Sequence, residues 1–179
     1  MNLPSIFVII GSASKNSANQ KLVDLFARLT KDIFDLTIQT DLKSIPHFDP
    51  ELSIDNTPQP VLDFRNQIEN ANGILICTPE YVFSIPSGLK NAIEWCVSTT
   101  VFSDKPTGII TAAASGQKAH EELQLIMKTV GAKLSAVTNL LIQGIKGKLN
   151  DEGEIIESKA KESLSSFIVE FKTLVRKDD

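Results

Sequence analysis

A chain of 179 residues, 42% apolar and 22% charged, fits one domain with a single sizeable core. Its net charge of −4 argues against a nucleic-acid binder, and two cysteines, Cys77 and Cys96, make neither a disulfide framework nor a zinc site. No apolar run reaches the length of a membrane span, and the N-terminus lacks the basic-then-apolar plan of a signal peptide, so a cytoplasmic protein is expected.

The first predicted strand covers residues 5–10, with an apolar run from Ile6 that stops at Gly11. Small and polar residues follow from Ser12 to Ser17, and a helical pattern then runs to about Thr30 through Leu22, Val23, Leu25, Phe26 and Leu29. Ser17 is placed as an N-cap, with Gln20 closing a capping box. A helix N-terminus ringed by hydroxyl and amide donors is also a phosphate cradle, and both roles can hold at once. Leu36, Ile38 and Leu42 suggest a half-buried second strand, followed by a proline-containing loop to Asn56. Thr57 and Pro58 read as N-cap and first residue of a helix ending near Asn70.

Residues 73–77 form a short continuous apolar run, typical of a strand covered on both faces. Pro86 is expected in the first turn of the next helix, whose apolar stripe is Leu89, Ala92, Ile93, Cys96 and Val97. Residues 107–113 are the fourth strand, and a helix with Leu123, Leu125, Ile126 and Val130 ends at Gly131. A fifth strand is predicted over 134–142, with Ala136, Val137, Leu140 and Leu141. Residues 144–153 read as an ordered surface turn, and 155–176 as the last helix, after which Lys177, Asp178 and Asp179 should fray.

Five strands alternating with helices predict an α/β fold in one domain over residues 1–179: a doubly wound, five-stranded parallel sheet with helices on both faces. In the flavodoxin-like order 2-1-3-4-5, strands 1, 3 and 4 are neighbours. Ligands bind such sheets beyond the strand carboxyl ends, at the switch point between strands 1 and 3. The polar loops at 11–17, 78–84 and 113–117 all follow strands 1, 3 and 4, so they converge on one edge.

The first loop is neither a Walker motif nor a three-glycine dinucleotide fingerprint, and suits a terminal phosphomonoester such as that of FMN. Two stretches carry a family resemblance: Gly11-Ser12 followed by Ser17-x-Asn19, and Thr78-Pro79-Glu80-Tyr81 followed by Ser84-Ile85-Pro86-x-x-Leu89-Lys90-Asn91-Ala92-Ile93-Glu94-Trp95. They resemble the signatures of NADPH-dependent FMN reductases, a family of flavin, quinone, chromate and azo reductases. Ile45-Pro46-His47-Phe48, the Ser115-Gly116 loop and Asn150-Asp151-Glu152-Gly153 match in kind, so the resemblance covers nearly the whole chain.

The resemblance implies that Ser12, Ser17 and Asn19 hold the flavin phosphate, within a loop that includes Gly11, Ser14, Lys15 and Ala18. It implies that Pro79, Glu80 and Tyr81, continuing into Val82, Phe83 and Ser84, line the flavin ring, and that Ser115 and Gly116 close its other edge. NADPH or NADH would be co-substrate, a quinone, free flavin, chromate or azo compound the small-molecule acceptor, and the assembly a homodimer or homotetramer, with no nucleic acid or membrane partner. Two departures stand out. Ser14 replaces the family's usual Arg, with Lys15 adjacent; Val82-Phe83 replaces the usual Asn-Gly, which makes that wall more apolar.

Other readings stay beside this one: a flavodoxin-type electron carrier, or a flavin-free regulatory domain. Trp95 is expected to pack or to form a subunit interface. Cys77 is expected to be a buried inert thiol, and no side chain a covalent catalyst. Glu80 has the chemistry of an acid, which hydride transfer does not require. His47, Asp49 and Glu51 read as a polar surface loop rather than a metal site, and Lys146 and Lys148 as a solvated turn.

Overall fold

A computed structural model describes residues 3–176; the predicted fray at Lys177, Asp178 and Asp179 lies outside them. The order is β1 (Ser5–Ile10), α1 (Ala18–Thr30), β2 (Asp35–Gln39), α2 (Gln59–Asn70), β3 (Gly73–Thr78), α3 (Ser87–Glu94), β4 (Thr107–Ala113), α4 (Gln117–Thr129), β5 (Asn139–Gln143) and α5 (Ser158–Arg176), with a 3₁₀ turn at Ile145–Gly147 before α5. The five strands form one sheet in the order β2-β1-β3-β4-β5, every pairing parallel.

The alternation of side chains along each strand splits the interior into two layers. Ile6, Val8 and Ile10 of β1 and Leu75 and Cys77 of β3 pack toward α1 and α5; Phe7, Ile9, Ile74 and Ile76 pack toward α2, α3 and α4. Thus β1 and β3 lie side by side while α1 and α3, the helices that follow them, leave to opposite faces. This is the predicted switch point.

Five element limits differ from the sequence expectation. β2 ends at Gln39, and Leu42 lies beyond it, packed half-buried against the α2/α3/α4 layer. Thr57 does not cap α2: its Oγ1 donates to the Leu52 carbonyl at 2.9 Å, and Pro58 holds the N-cap position. Pro58 itself is extended, at ψ 143°, so α2 begins one residue later than expected, at Gln59. β5 starts only at Asn139, because Ser135 and Thr138 bond one another's backbone N–H through their hydroxyls, at 3.0 and 3.2 Å. Such side-chain bonds compete with a strand ladder. α3 ends at Glu94, with Pro86 just ahead of it, which leaves Cys96 and Val97 outside the helix. α5 likewise begins at Ser158, because Ile155 forms an antiparallel bridge with Leu149.

Trp95 is not available to a subunit interface. It is 0% exposed within the single chain, its Nε1–H donates to the Pro46 carbonyl at 2.8 Å, and its ring meets Phe48 edge-on at 5.3 Å. The buried guanidinium of Arg65 donates to the Trp95 and Ser53 carbonyls, pinning α2 to the segment after α3.

Candidate functional site

Parallel strands deliver all their carboxyl ends to one edge, and a cavity of about 720 Å³ opens there. The loop after β1 supplies Ser12, Ser14, Ser17, Ala18 and Asn19; the loop after β3 supplies Pro79, Glu80 and Tyr81. Two further walls are Ala112–Ala114 at the end of β4, whose last two residues open the singled-out loop at 113–117, and the segment after β5 from Gly144 to Gly147 with Asn150 and Asp151, which the sequence read as a surface turn. The rule that strand ends carry the site applies to β5 as well, and was the available signal. A second cavity of about 460 Å³ shares Ser12, Ser14 and Tyr81 with the first, and adds Gly11, Lys15, Lys43 and Ser87.

Gly11 makes the close approach possible. Its N–H donates to the Cys77 carbonyl at 2.9 Å, and a Cβ there would stand 2.5 Å from Thr78 Oγ1. Ser12 is buried, with its Oγ 3.3 Å from the Tyr81 hydroxyl, so the two loops touch. Ser17 Oγ accepts the Gln20 N–H at 3.1 Å as predicted for an N-cap, and keeps its O–H for a ligand. The capping box forms only by half, since Gln20 Nε2 donates to Asp24 instead of turning back.

Asn19 has a structural task besides its place in the cavity wall. It is 2% exposed, its Nδ2 donates to the Ala112 carbonyl at 3.1 Å, and its Oδ1 lies 3.4 Å from Cys77 Sγ. It braces α1 against β3 and β4 beneath the cavity floor. Burial pushes the Cys77 thiol far above its ordinary range and Cys96 up to about 12, so neither is a thiolate near neutrality. His120 is buried too, with Nδ1 2.9 Å from Thr111 Oγ1, and burial lowers its pKa.

Glu80 lines the cavity, but its carboxylate is engaged elsewhere. It accepts the N–H groups of Gly116, Lys118 and Ala119 at 3.0, 2.9 and 3.0 Å, capping α4 from another loop. Gly116 takes φ +83° at this junction, a conformation that favours glycine. Ser84 Oγ and the Ile85 N–H donate to Glu122 on α4, at 2.8 and 2.9 Å. Of the residues singled out in the sequence, Val82, Phe83, Ser84, Ser115 and Gly116 line neither cavity. Among the described residues no group of three or more His, Cys, Asp or Glu is arranged to hold a metal ion, and no helix is long and apolar enough to cross a membrane.

Comparison with known proteins agrees with this architecture. Residues 4–142 match the family described as NADPH-dependent FMN reductase. The chain is 29% identical over 169 residues to the NADH:(hydroxy)cinnamate reductase subunit CrdA of Vibrio ruber, covering 91% of this chain and 83% of that one. It is 27% identical over 177 residues to a 2-hydroxy-1,4-benzoquinone reductase of a Burkholderia species, covering 96% of each. The solved structure of FerB, a flavoenzyme NAD(P)H:(acceptor) oxidoreductase from Paracoccus denitrificans, superposes with a TM-score of 0.86 at 25% identity over 98% of both chains. A hydroxyl-lined loop at a helix start, set at the switch point of a 2-1-3-4-5 sheet, is thus explained by membership: this chain belongs to the NADPH-dependent FMN reductase family, oxidoreductases that use FMN and NAD(P)H.

Proposed function

We propose that this chain carries reducing equivalents from NAD(P)H, by way of FMN in the larger cavity, to a quinone. The observation that supports this most directly is the pair of cavities meeting at Tyr81, Ser12 and Ser14. One can hold a cofactor while the other admits a second molecule beside it. The residues present fit FMN. About 720 Å³ lies within the usual range of cofactor pockets, roughly 300–1,000 Å³. The Ser17 hydroxyl and the first N–H groups of α1, which by helix geometry lack intrahelical partners, suit a phosphate dianion. Bound FMN supplies the redox chemistry, accepting hydride equivalents and passing them on.

The protein's own part is to bind, orient and separate. Ser12 and Ser17 hold the phosphate end, and Lys21 at the rim balances charge. Pro79 to Tyr81 and Ala112 to Ala114 flank the ring as walls. Lys15 and Lys43, set against the one carboxylate of Asp41, leave the second cavity a net positive charge in place of the usual Arg at Ser14, and so attract the phosphates of a pyridine nucleotide. Quinones are favoured as acceptors because the benzoquinone-reducing relative matches along 96% of its length. The cytoplasm is the compartment proposed, and a homodimer or homotetramer the assembly; sedimentation at micromolar concentration tests the latter.

The functional experiment is steady-state oxidation of NADH and NADPH by the FMN-loaded protein with 1,4-benzoquinone and no other protein present. Turnover with either nucleotide is expected. A protein that holds FMN and oxidises neither overturns the reading. Lys15→Ala with Lys43→Ala should raise the nucleotide KM at least tenfold, while FMN affinity, read by fluorescence, changes little.

A further inference from the structure

The turn from Tyr81 to Ser84, beside the site, holds two consecutive residues other than glycine at positive φ. Val82 and Phe83 take φ +53° and +58°, and Tyr81 and Ser84 exchange both backbone hydrogen bonds across them, at 2.9 and 3.1 Å. Two left-handed central residues make a type I′ hairpin, whose preferred pair is Asn-Gly. A β-branched residue in that conformation is a genuine outlier. Burial does not compensate, since Val82 is 95% exposed and Phe83 76%. Strain of this kind persists only where the surroundings over-determine it, and it gathers at functional sites.

Here the surroundings are two carboxylates reaching in opposite directions. Glu80, just before the turn, accepts three N–H groups from the start of α4. Glu122, on α4, reaches back to Ser84 Oγ and the Ile85 N–H just after it. Tyr81, which enters the turn, lines both cavities, so any displacement of the turn moves the wall between them. Val82 and Phe83, which follow Tyr81 directly, are exposed and line neither cavity, and residues 79–85 include no cation. Leu125, three residues after Glu122 and therefore on the same helix face, is exposed as well.

We propose that Glu122 is a positioning residue of this site. The Val82-Phe83 turn it holds is an apolar lip, which favours uncharged planar aromatic acceptors over anionic ones. This rests on the FMN-dependent reading above and adds the acceptor class and the device that presents it.

The test uses the full chain as wild type, Glu122→Ala, the double variant Val82→Asn/Phe83→Gly, and the triple variant. Amide hydrogen exchange across residues 79–86, measured with and without FMN, reads the clasp. Exchange should rise at least tenfold in Glu122→Ala. Protection should return in the triple variant, because Asn-Gly adopts the turn unaided. Unchanged protection in Glu122→Ala overturns the positioning role.

Steady-state kinetics read the lip. The ratio of kcat/KM for 2-methyl-1,4-naphthoquinone to that for ferricyanide should fall at least tenfold in the double variant, through the quinone KM. An unchanged ratio overturns the lip. So does a smaller sedimenting particle in the double variant, which would reassign Val82 and Phe83 to a subunit contact. If the chain binds no FMN, the functional reading and the lip both fall, while exchange in the cofactor-free protein still decides the role of Glu122.

Discussion

Ser17 performs two tasks with one oxygen: it accepts the Gln20 N–H and faces the larger cavity. The tasks are separable. Ser17→Ala removes the cap, which costs about 1 kcal/mol, and the ligand contact together. Ser17→Asp keeps a good cap, yet sets a negative charge against a phosphate. Thermal unfolding should therefore show the Asp variant as stable as wild type, with FMN affinity lower than in the Ala variant; equal FMN affinity in both would remove the phosphate from this end of α1. Ser17 was legible because a cap is a local matter of three residues. Asn19 was not, because the carbonyl it braces belongs to Ala112, 93 residues away. Cys77 illustrates the reverse case: a thiol at the end of an all-apolar strand reads as inert, and its burial agrees. Cys77→Ala should leave turnover within about tenfold, equivalent to roughly 1.4 kcal/mol of barrier.

At the scale of elements, the Tyr81–Ser84 turn shows how local preference yields to tertiary contacts. Left-handed backbone at residues other than glycine costs on the order of 1–3 kcal/mol each. Hydrogen bonds to ionised carboxylates contribute about 1.5–3 kcal/mol. The clasp of Glu80 and Glu122 is thus large enough to hold the strain. Replacing Val82-Phe83 by Asn-Gly should raise the Tm, by about 2–4 °C per kcal/mol relieved in a domain of this size; a lower Tm in calorimetry would mean that the turn is not strained in solution. The sequence displayed the unusual residue pair but not the clasp, whose partners lie 36 to 39 residues apart. The late start of β5 was hidden for a similar reason. Ala136 and Val137 have strand-like character, but the hydroxyls of Ser135 and Thr138 close a turn around them first.

For the whole molecule, a parallel sheet with helices on both faces was readable from periodicity and right-handed crossovers, whereas the strand order came from likeness to the flavodoxin-like arrangement. Packing of Trp95 was one of two readings, but its partners were not legible, because they come from the loop containing Pro46 and Phe48, which has no periodicity to read. Stability of the whole chain should also depend on pH through His120 of α4, which packs against Thr111 of β4. Burial lowers its pKa below the ordinary 6.5, an effect that outweighs the opposing charge of Glu121. In the range just below 6.5 the unfolded chain binds a proton that the folded chain refuses. Stability from this group is therefore fully present above 6.5 and is lost as pH falls toward the folded value. Glu121 and Glu157 have carboxyl pKa values below their ordinary 4.5, so their contributions fade only at pH below that. Urea unfolding at pH 7.0, 6.0 and 5.5 should show a decline in wild type that is smaller in His120→Gln. An equal decline in both would mean that His120 titrates alike in the folded and unfolded chains.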